Sequence, residues 1–521
     1  MPLVAIAFGQ VLISFNVASL PVAMSGMVES FQVGPTVIAT GVVAYSMIVA
    51  AFVMLGAKLV QRFGAVQAFR LAVTVFGVGQ VLMSISQNAT SMILAQVLCG
   101  TAGAVIVPSL VALIAENYHG SQQATALGAL GSARAGAGVL AFLIGGVLGT
   151  YIGWRPLFGI LVVVSALVLV LSFWLKRDSG RPTVTIDFVG VLFAAIAMIF
   201  ISFGFNNLSG WGMLSARSSA PFAAIGISPA LVMIAVGVLF GWLFLRWTRR
   251  RERNQKMPLL PLMVLNSPSE RAAVYAMFSV GALEAALNFS VPLYIQIVQG
   301  RTPLATAFAM LPFKLTMFFA AMLIVRFYGR FTQRQIGGLG FGLCSAALVW
   351  LAFVVRNDWS TLPVILGLVL FGIAQGALVT LLFNVLVTAS PKELAGDVGS
   401  LRGATNNLAI AVGTAVVGAL CVGILSAAVM SRLAESPNLP IELLSYVNLD
   451  SVTFVSNDHL REIIARTNAT PEQKEIALHI NIESRLLALK IGFLTMAVLA
   501  ALAILPARRL PDYRPGEIPE P

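Results

Sequence analysis

Charge is scarce in this sequence: Asp, Glu, Lys and Arg together make up 10% of 521 residues, against roughly 25% in a soluble domain. That scarcity excludes a water-soluble globular fold, whose surface needs many more polar groups. Cysteine is also rare. Cys99, Cys344 and Cys421 each fall inside an apolar run, which excludes a disulfide framework and any zinc-ligand spacing and leaves them as small buried hydrophobes. No phosphate loop or hydrolytic constellation occurs, and the Gly-x-Gly fragments lie inside apolar stretches without the strand–turn–helix context that phosphate binding needs. An ATP-driven pump on this chain alone is excluded. No enzyme activity, cofactor or metal is expected.

What the chain has in abundance is apolar length. Hydrophobic residues make up 58% and mean hydropathy is +0.90. Runs long enough to cross the ~30 Å hydrocarbon layer as a helix of about 20 residues lie near 2–27, 35–57, 66–86, 91–115, 123–149, 156–176, 187–207, 223–246, 272–297, 303–327, 336–355, 361–388, 404–428 and 486–506. The weakest two are 123–149, which carries Arg134, and 303–327, which carries Lys314. An all-α polytopic membrane protein follows, since in lipid every backbone polar group must be satisfied within its own segment or a closed barrel. The first run starts almost at Met1, has no basic region ahead of it and is too long for a cleavable signal.

Basic residues set the expected orientation. With the N-terminus in the cytoplasm, the inner segments hold Lys58, Arg62, Arg70, Lys176, the Arg249–Arg253 run, Arg326, Arg330, Lys392, Arg402 and Arg508, among others. The short outer loops hold only Arg155, Arg217, Arg301 and Arg356. This positive-inside bias accounts for most of the net charge of +12, so no nucleic-acid partner is needed to explain it. An even number of spans puts both termini inside, in a plasma membrane, most simply a bacterial inner membrane.

Six spans, then two, then six divide the chain into an N-terminal bundle (1–178), a two-helix insert with a basic linker (179–257) and a C-terminal bundle (258–521), the internal repeat common among secondary transporters. One long loop, 431–485, faces outward, with part-helical character expected around 459–466 and 471–485. A monomer is expected.

The loop between the second and third spans reads Ala57-Lys-Leu-Val-Gln61-Arg62-Phe-Gly64, with Arg70 further on. A looser echo, Gly329-Arg330-Phe-Thr-Gln-Arg334, stands in the second half. Gln96-Val-Leu-Cys-Gly100, the glycines of the fifth span, Trp154-Arg155-Pro-Leu-Phe158, Pro292-Leu-Tyr294-Ile-Gln296 and Leu311-Pro312 follow in order. Together these resemble the major facilitator superfamily, in its fourteen-span drug:proton antiporter branch. The resemblance implies two six-helix bundles around a central cavity, with Gln61, Arg62, Gly64 and Arg70 as a gating loop. It also departs from the family pattern. Gln61 stands where the family has Asp, Gln96 where it has Arg, and Ala141-Phe142 where it has Gly-Pro. Asn16-Val-Ala-Ser-Leu-Pro21 lacks the acid that normally precedes it.

Charges at mid-membrane depth cost several kcal/mol and default to functional candidates. Arg134 lies about 17 Å into the fifth span at ~1.5 Å per residue. Glu284 and Lys314 lie at similar depth in the ninth and tenth. In the implied fold the three come within reach of one another, either as a transport site or as a fixed ion pair holding the bundles. Glu284 is the natural proton carrier, and Asn288, one turn on, is placed to hydrogen-bond it. Gly131, Gly136, Gly138, Gly145 and Gly146 point to close, sliding helix contact. Asp397 and Arg402 fit a gate or a helix-end pair equally well. The expected function is proton-coupled export of small amphipathic molecules or drugs. The alternatives are an organic-anion transporter, favoured by two cations against one acid, and a non-transporting receptor.

Overall fold

The computed structural model describes residues 2–118, 121–176, 180–217, 220–222, 226–265, 267–328, 330–388, 395–434 and 470–512. Among the described residues, fourteen helices are long and apolar enough to cross a membrane. We number them α1 (Pro2–Val22), α2 (Pro35–Phe63), α3 (Ala65–Ser84), α4 (Ala89–Asn117), α5 (Ser121–Tyr151), α6 (Arg155–Ser172), α7 (Phe188–Asn206), α8 (Pro229–Arg253), α9 (Pro268–Pro292), α10 (Pro303–Leu323), α11 (Gln333–Val354), α12 (Leu362–Thr388), α13 (Ala395–Ala434) and α14 (Pro471–Leu502). All fourteen expected spans are present. Several ends move, however, because helices continue past the apolar run that announced them: α2 extends to Phe63, α13 starts at Ala395, and α14 starts at Pro471 rather than near 486. The first span is shorter than expected. It breaks after Val22, and a separate short helix covers Met24–Phe31. Most of loop 431–485, with its expected helix at 459–466, lies outside the described residues, as do Gly329 and Lys392.

Local chemistry explains the boundaries. Ser267 and Glu270 form a capping box at the start of α9, with Pro268 in the first turn. Thr332 and Gln335 do the same for α11, and each box satisfies two otherwise orphaned N–H groups. Between α2 and α3 a single residue, Gly64, ends one helix and begins the next at φ +92°, a conformation that a side chain would strain.

The packing repeats. In the first half α2 packs on α4, α3 on α4 and α6, and α1 on α5. In the second half α10 packs on α12, α11 on α12 and α14, and α9 on α13. Each pairing maps to its counterpart by adding eight to both helix numbers, which skips the insert. The halves meet along two seams, α2 with α13 and α5 with α10, that interchange under the same mapping. Of the insert, α7 packs against α2 and α13 and so straddles one seam, whereas α8 packs on α7. Only 17% of the apolar stretch of α8 is buried, leaving Val238, Leu239 and Trp242 on an outer, lipid-type surface. Asp187 anchors the pair: it caps α7 through the Gly190 N–H, accepts from Trp247 Nε1 at 3.1 Å and lies 3.5 Å from Arg251.

With an even number of spans, α1 begins and α14 ends on one face, which also carries the Arg249–Arg253 run. We call it the basic face.

Candidate functional site

Between the halves lies a cavity of about 690 Å³, within the range of small-molecule sites. Its wall extends from Pro21, toward the face opposite the basic one, to Asn384 and Gly399 near the basic face. Glu284 lines it. The carboxylate lies 3.5 Å from Lys314 Nζ on α10 and 3.8 Å from Arg134 Nη2 on α5. Arg134 also donates to Asn406 Oδ1 on α13 at 3.2 Å. One acid from the second half is thus shared between a cation of its own half and a cation across the α5–α10 seam. Lys314 is the most buried of the three, at 6% side-chain exposure. Its ammonium stands over the Phe313 and Phe142 rings at 4.6 and 5.6 Å, so aromatic faces supply part of the stabilisation that water would have given.

Sequence reasoning placed Glu284, Arg134 and Lys314 together, and the structure does bring them together. Asn288 lines the same cavity, but its Oδ1 is buried without a hydrogen-bond partner and no bond joins it to Glu284. The carboxylate turns instead to the two cations, which outcompete an amide.

The fifth-span glycines divide into two groups. Gly145 and Gly146 are close contacts, since a Cβ on Gly146 would lie 2.7 Å from the Ala307 Cβ of α10, and one on Gly145 would lie 3.0 Å from Val22. Gly131 and Gly136 meet nothing within 4 Å, and Gly138 meets only Lys314 at 3.9 Å. One end of α5 therefore presses on α10 and α1 while the other borders open space, with Gly131 and Gly138 in the cavity wall. For Gly131 and Gly136 the expectation of helix contact is corrected.

Two clamps join the halves, one toward each face. Near the basic face Lys58 Nζ of α2 meets Asp397 Oδ1 of α13 at 2.8 Å, with both side chains buried. Asp397 pairs across the seam here. Gln61, one turn on, has its amide nitrogen 3.2 Å from where a Gly396 Cβ would be. Its carbonyl accepts from the Arg181 N–H at 2.8 Å. Arg62 is exposed and lies over the Phe63 ring. Arg70 donates to the Ser172 carbonyl at 2.9 Å, tying α3 to the end of α6 where the helix dipole favours a cation. In the sequence Lys58 reads only as a topology charge. Its position one turn before Gln61 was the available signal.

Toward the opposite face Gln296 reaches from the second half into the break after α1. This residue belongs to a buried π-helical turn, Leu293–Val298. Its Nε2 donates to the Pro21 carbonyl at 3.1 Å, and its Oε1 accepts from the Ser25 N–H at 3.0 Å. In an unbroken helix that N–H and that carbonyl would bond to each other. Gln296 bridges that carbonyl and that N–H across the break and ties α1 to α9.

Inside the first half, Asn16, Gln80 and Gln96 form a fully buried carboxamide network. Gln80 Nε2 donates to Asn16 Oδ1 and Asn16 Nδ2 donates to Gln96 Oε1, both at 2.9 Å. Gln96, at the position of the family arginine, is thus a neutral interhelical bond.

Comparisons agree with this architecture. Residues 6–253 and 185–414 match the sequence profile of the Major Facilitator Superfamily. The multidrug resistance protein Stp of Mycobacterium tuberculosis is 25% identical over 96% of this chain and 90% of its own length. The tetracenomycin C resistance and export protein of Streptomyces glaucescens is 25% identical over 84% of this chain and 78% of its own. Among solved structures, a bacterial homologue of the human lysosomal transporter Spinster, in an inward-facing and occupied conformation, superposes with a TM-score of 0.64 at 16% identity, covering 98% of this chain and 96% of that one. With the family profile matched across most of its length and the fold reproduced, this chain belongs to the major facilitator superfamily.

Proposed function

We propose that this protein is a proton-coupled exporter of small amphipathic molecules across the plasma membrane, with the basic face in the cytoplasm. The observation that carries this reading is Glu284 shared between Lys314 and Arg134. Protonating that carboxylate removes the attraction holding Arg134 across the seam, so a proton bound at one residue changes the energy of the contact between the two halves. That is what alternating access requires of a coupling group: a differential interaction with the two arrangements. The similarity to resistance and export proteins supports export and a drug-like substrate.

In this reading residues 1–178 and 258–521 move as the two bundles, and 179–257 rides beside them. The Lys58–Asp397 and Gln296–Pro21 clamps are the contacts that alternate. In proteoliposomes, Glu284→Gln is expected to retain substrate binding and exchange while losing accumulation driven by a proton gradient. Wild-type accumulation by the Gln variant overturns Glu284 as the coupling group.

A further inference from the structure

Resting on that reading, we propose that the substrate is an amphipathic organic anion, a carboxylate or sulfonate on an aromatic or aliphatic body, held by Arg134, Lys314 and Arg402. Three cations and one acid, Glu284, line the cavity among the described residues. A narrow side recess joins Arg134, Glu284, Arg402 and Asn406 in one wall. Asp397, the other acid nearby, is engaged by Lys58 at 2.8 Å and is absent from that wall.

Glu284 does not saturate its two cations. Its separations of 3.5 and 3.8 Å are well beyond the ~2.7–2.9 Å of a closed charge-assisted bond. An ammonium has three donors and a guanidinium five, so both retain N–H groups for a second anion. The rest of the wall is suited to an apolar body: Tyr45, Phe142, Phe289, Met317 and Met322. A lipophilic cation entering this cavity would meet repulsion from all three basic side chains. A sulfonate or carboxylate would find donors on α5, α10 and α13 together, and by bridging α5 to α10 and α13 it would hold both halves at once.

The test uses the full chain in nanodiscs of phosphatidylcholine alone, so that no anionic lipid competes, and three fluorescent probes with one dansyl body: dansylglycine, its neutral amide and the cation dansylcadaverine. Dansylglycine is expected to bind about tenfold more tightly than the amide, the scale of one hydrogen bond to a charged group. That preference is expected to fall to about twofold or less in Arg134→Gln and Arg402→Gln, and to survive in Arg402→Lys. If Arg134→Gln does not fold, the Arg402 pair alone decides the result. Equal binding of acid and amide overturns the proposal, as does a preference unaffected by Arg402→Gln. Tighter binding of dansylcadaverine, lost in Glu284→Gln, also overturns the anion assignment while leaving proton-coupled export standing. Loss of export itself is read separately, from gradient-driven accumulation in the Glu284→Gln proteoliposomes.

Discussion

Lys58 on α2 and Asp397 on α13 form a buried ion pair at 2.8 Å across the seam between the two halves. Removing one partner of such a pair leaves an uncompensated buried charge, at about 3–5 kcal/mol. Lys58→Met and Asp397→Asn are each expected to lower the thermal midpoint of the purified protein, and the exchange Lys58→Asp with Asp397→Lys to recover most of it. If the single variants melt with the wild type, the pair contributes nothing to closing this seam.

The Glu284 cluster separates a coupling role from a merely structural one. Glu284→Gln strands two cations, whereas Glu284→Gln with Lys314→Met leaves only Arg134, which keeps its bond to Asn406. The double variant is expected to express and melt close to the wild type yet accumulate no substrate against a gradient. Recovery of coupled transport in the double variant would rule Glu284 out as the proton carrier.

Gln296 bridges the Pro21 carbonyl and the Ser25 N–H across the break after α1. Gln296→Leu keeps the volume and removes both bonds, at about 1–3 kcal/mol for the buried Pro21 carbonyl and less for the half-buried Ser25 N–H. Since this clamp ties α1 to α9, cysteine accessibility in the cavity from the face opposite the basic one is expected to rise in Gln296→Leu. Unchanged labelling would show that the α1–α9 contact is held by other groups.

At the α2–α3 turn, Gly64 has φ +92°, where a side chain costs about 1–3 kcal/mol. Gln61→Ala gives up an amide packed near Gly396 and nothing charged. Transport at matched expression is expected to fall much further in Gly64→Leu than in Gln61→Ala.

The fifth-span glycines offer an internal comparison. Gly146→Ala puts a methyl group 2.7 Å from Ala307 and is expected to cost about 1–3 kcal/mol by overpacking, whereas Gly136→Ala meets open space. Matching thermal midpoints for the two variants would contradict the division of α5 into a contact end and a cavity end.

Fourteen apolar runs and their order came from the sequence directly, because the bilayer imposes a length and a composition on each span that do not depend on the neighbouring helices. The depth of Glu284, Arg134 and Lys314 was legible for the same reason: a charge inside an apolar run is visible wherever the run goes. Family motifs then placed the spans in a known arrangement and brought the three charges together. What stayed hidden depended on which helix faces meet. Apart from lying one turn before Gln61, Lys58 looks like any other basic residue at a span end, and only its approach to Asp397, 339 positions away in the chain, makes it a clamp. Gln296 is likewise one polar residue among many until the break after Val22 supplies a carbonyl and an N–H for it to bridge. Gly131 and Gly146 share one glycine-rich helix, yet packing against α10 assigned one to the cavity wall and the other to a contact. Burial along a chain is set by local composition, whereas pairing between distant segments is set by packing, and the contacts that join the two halves belong to the second kind.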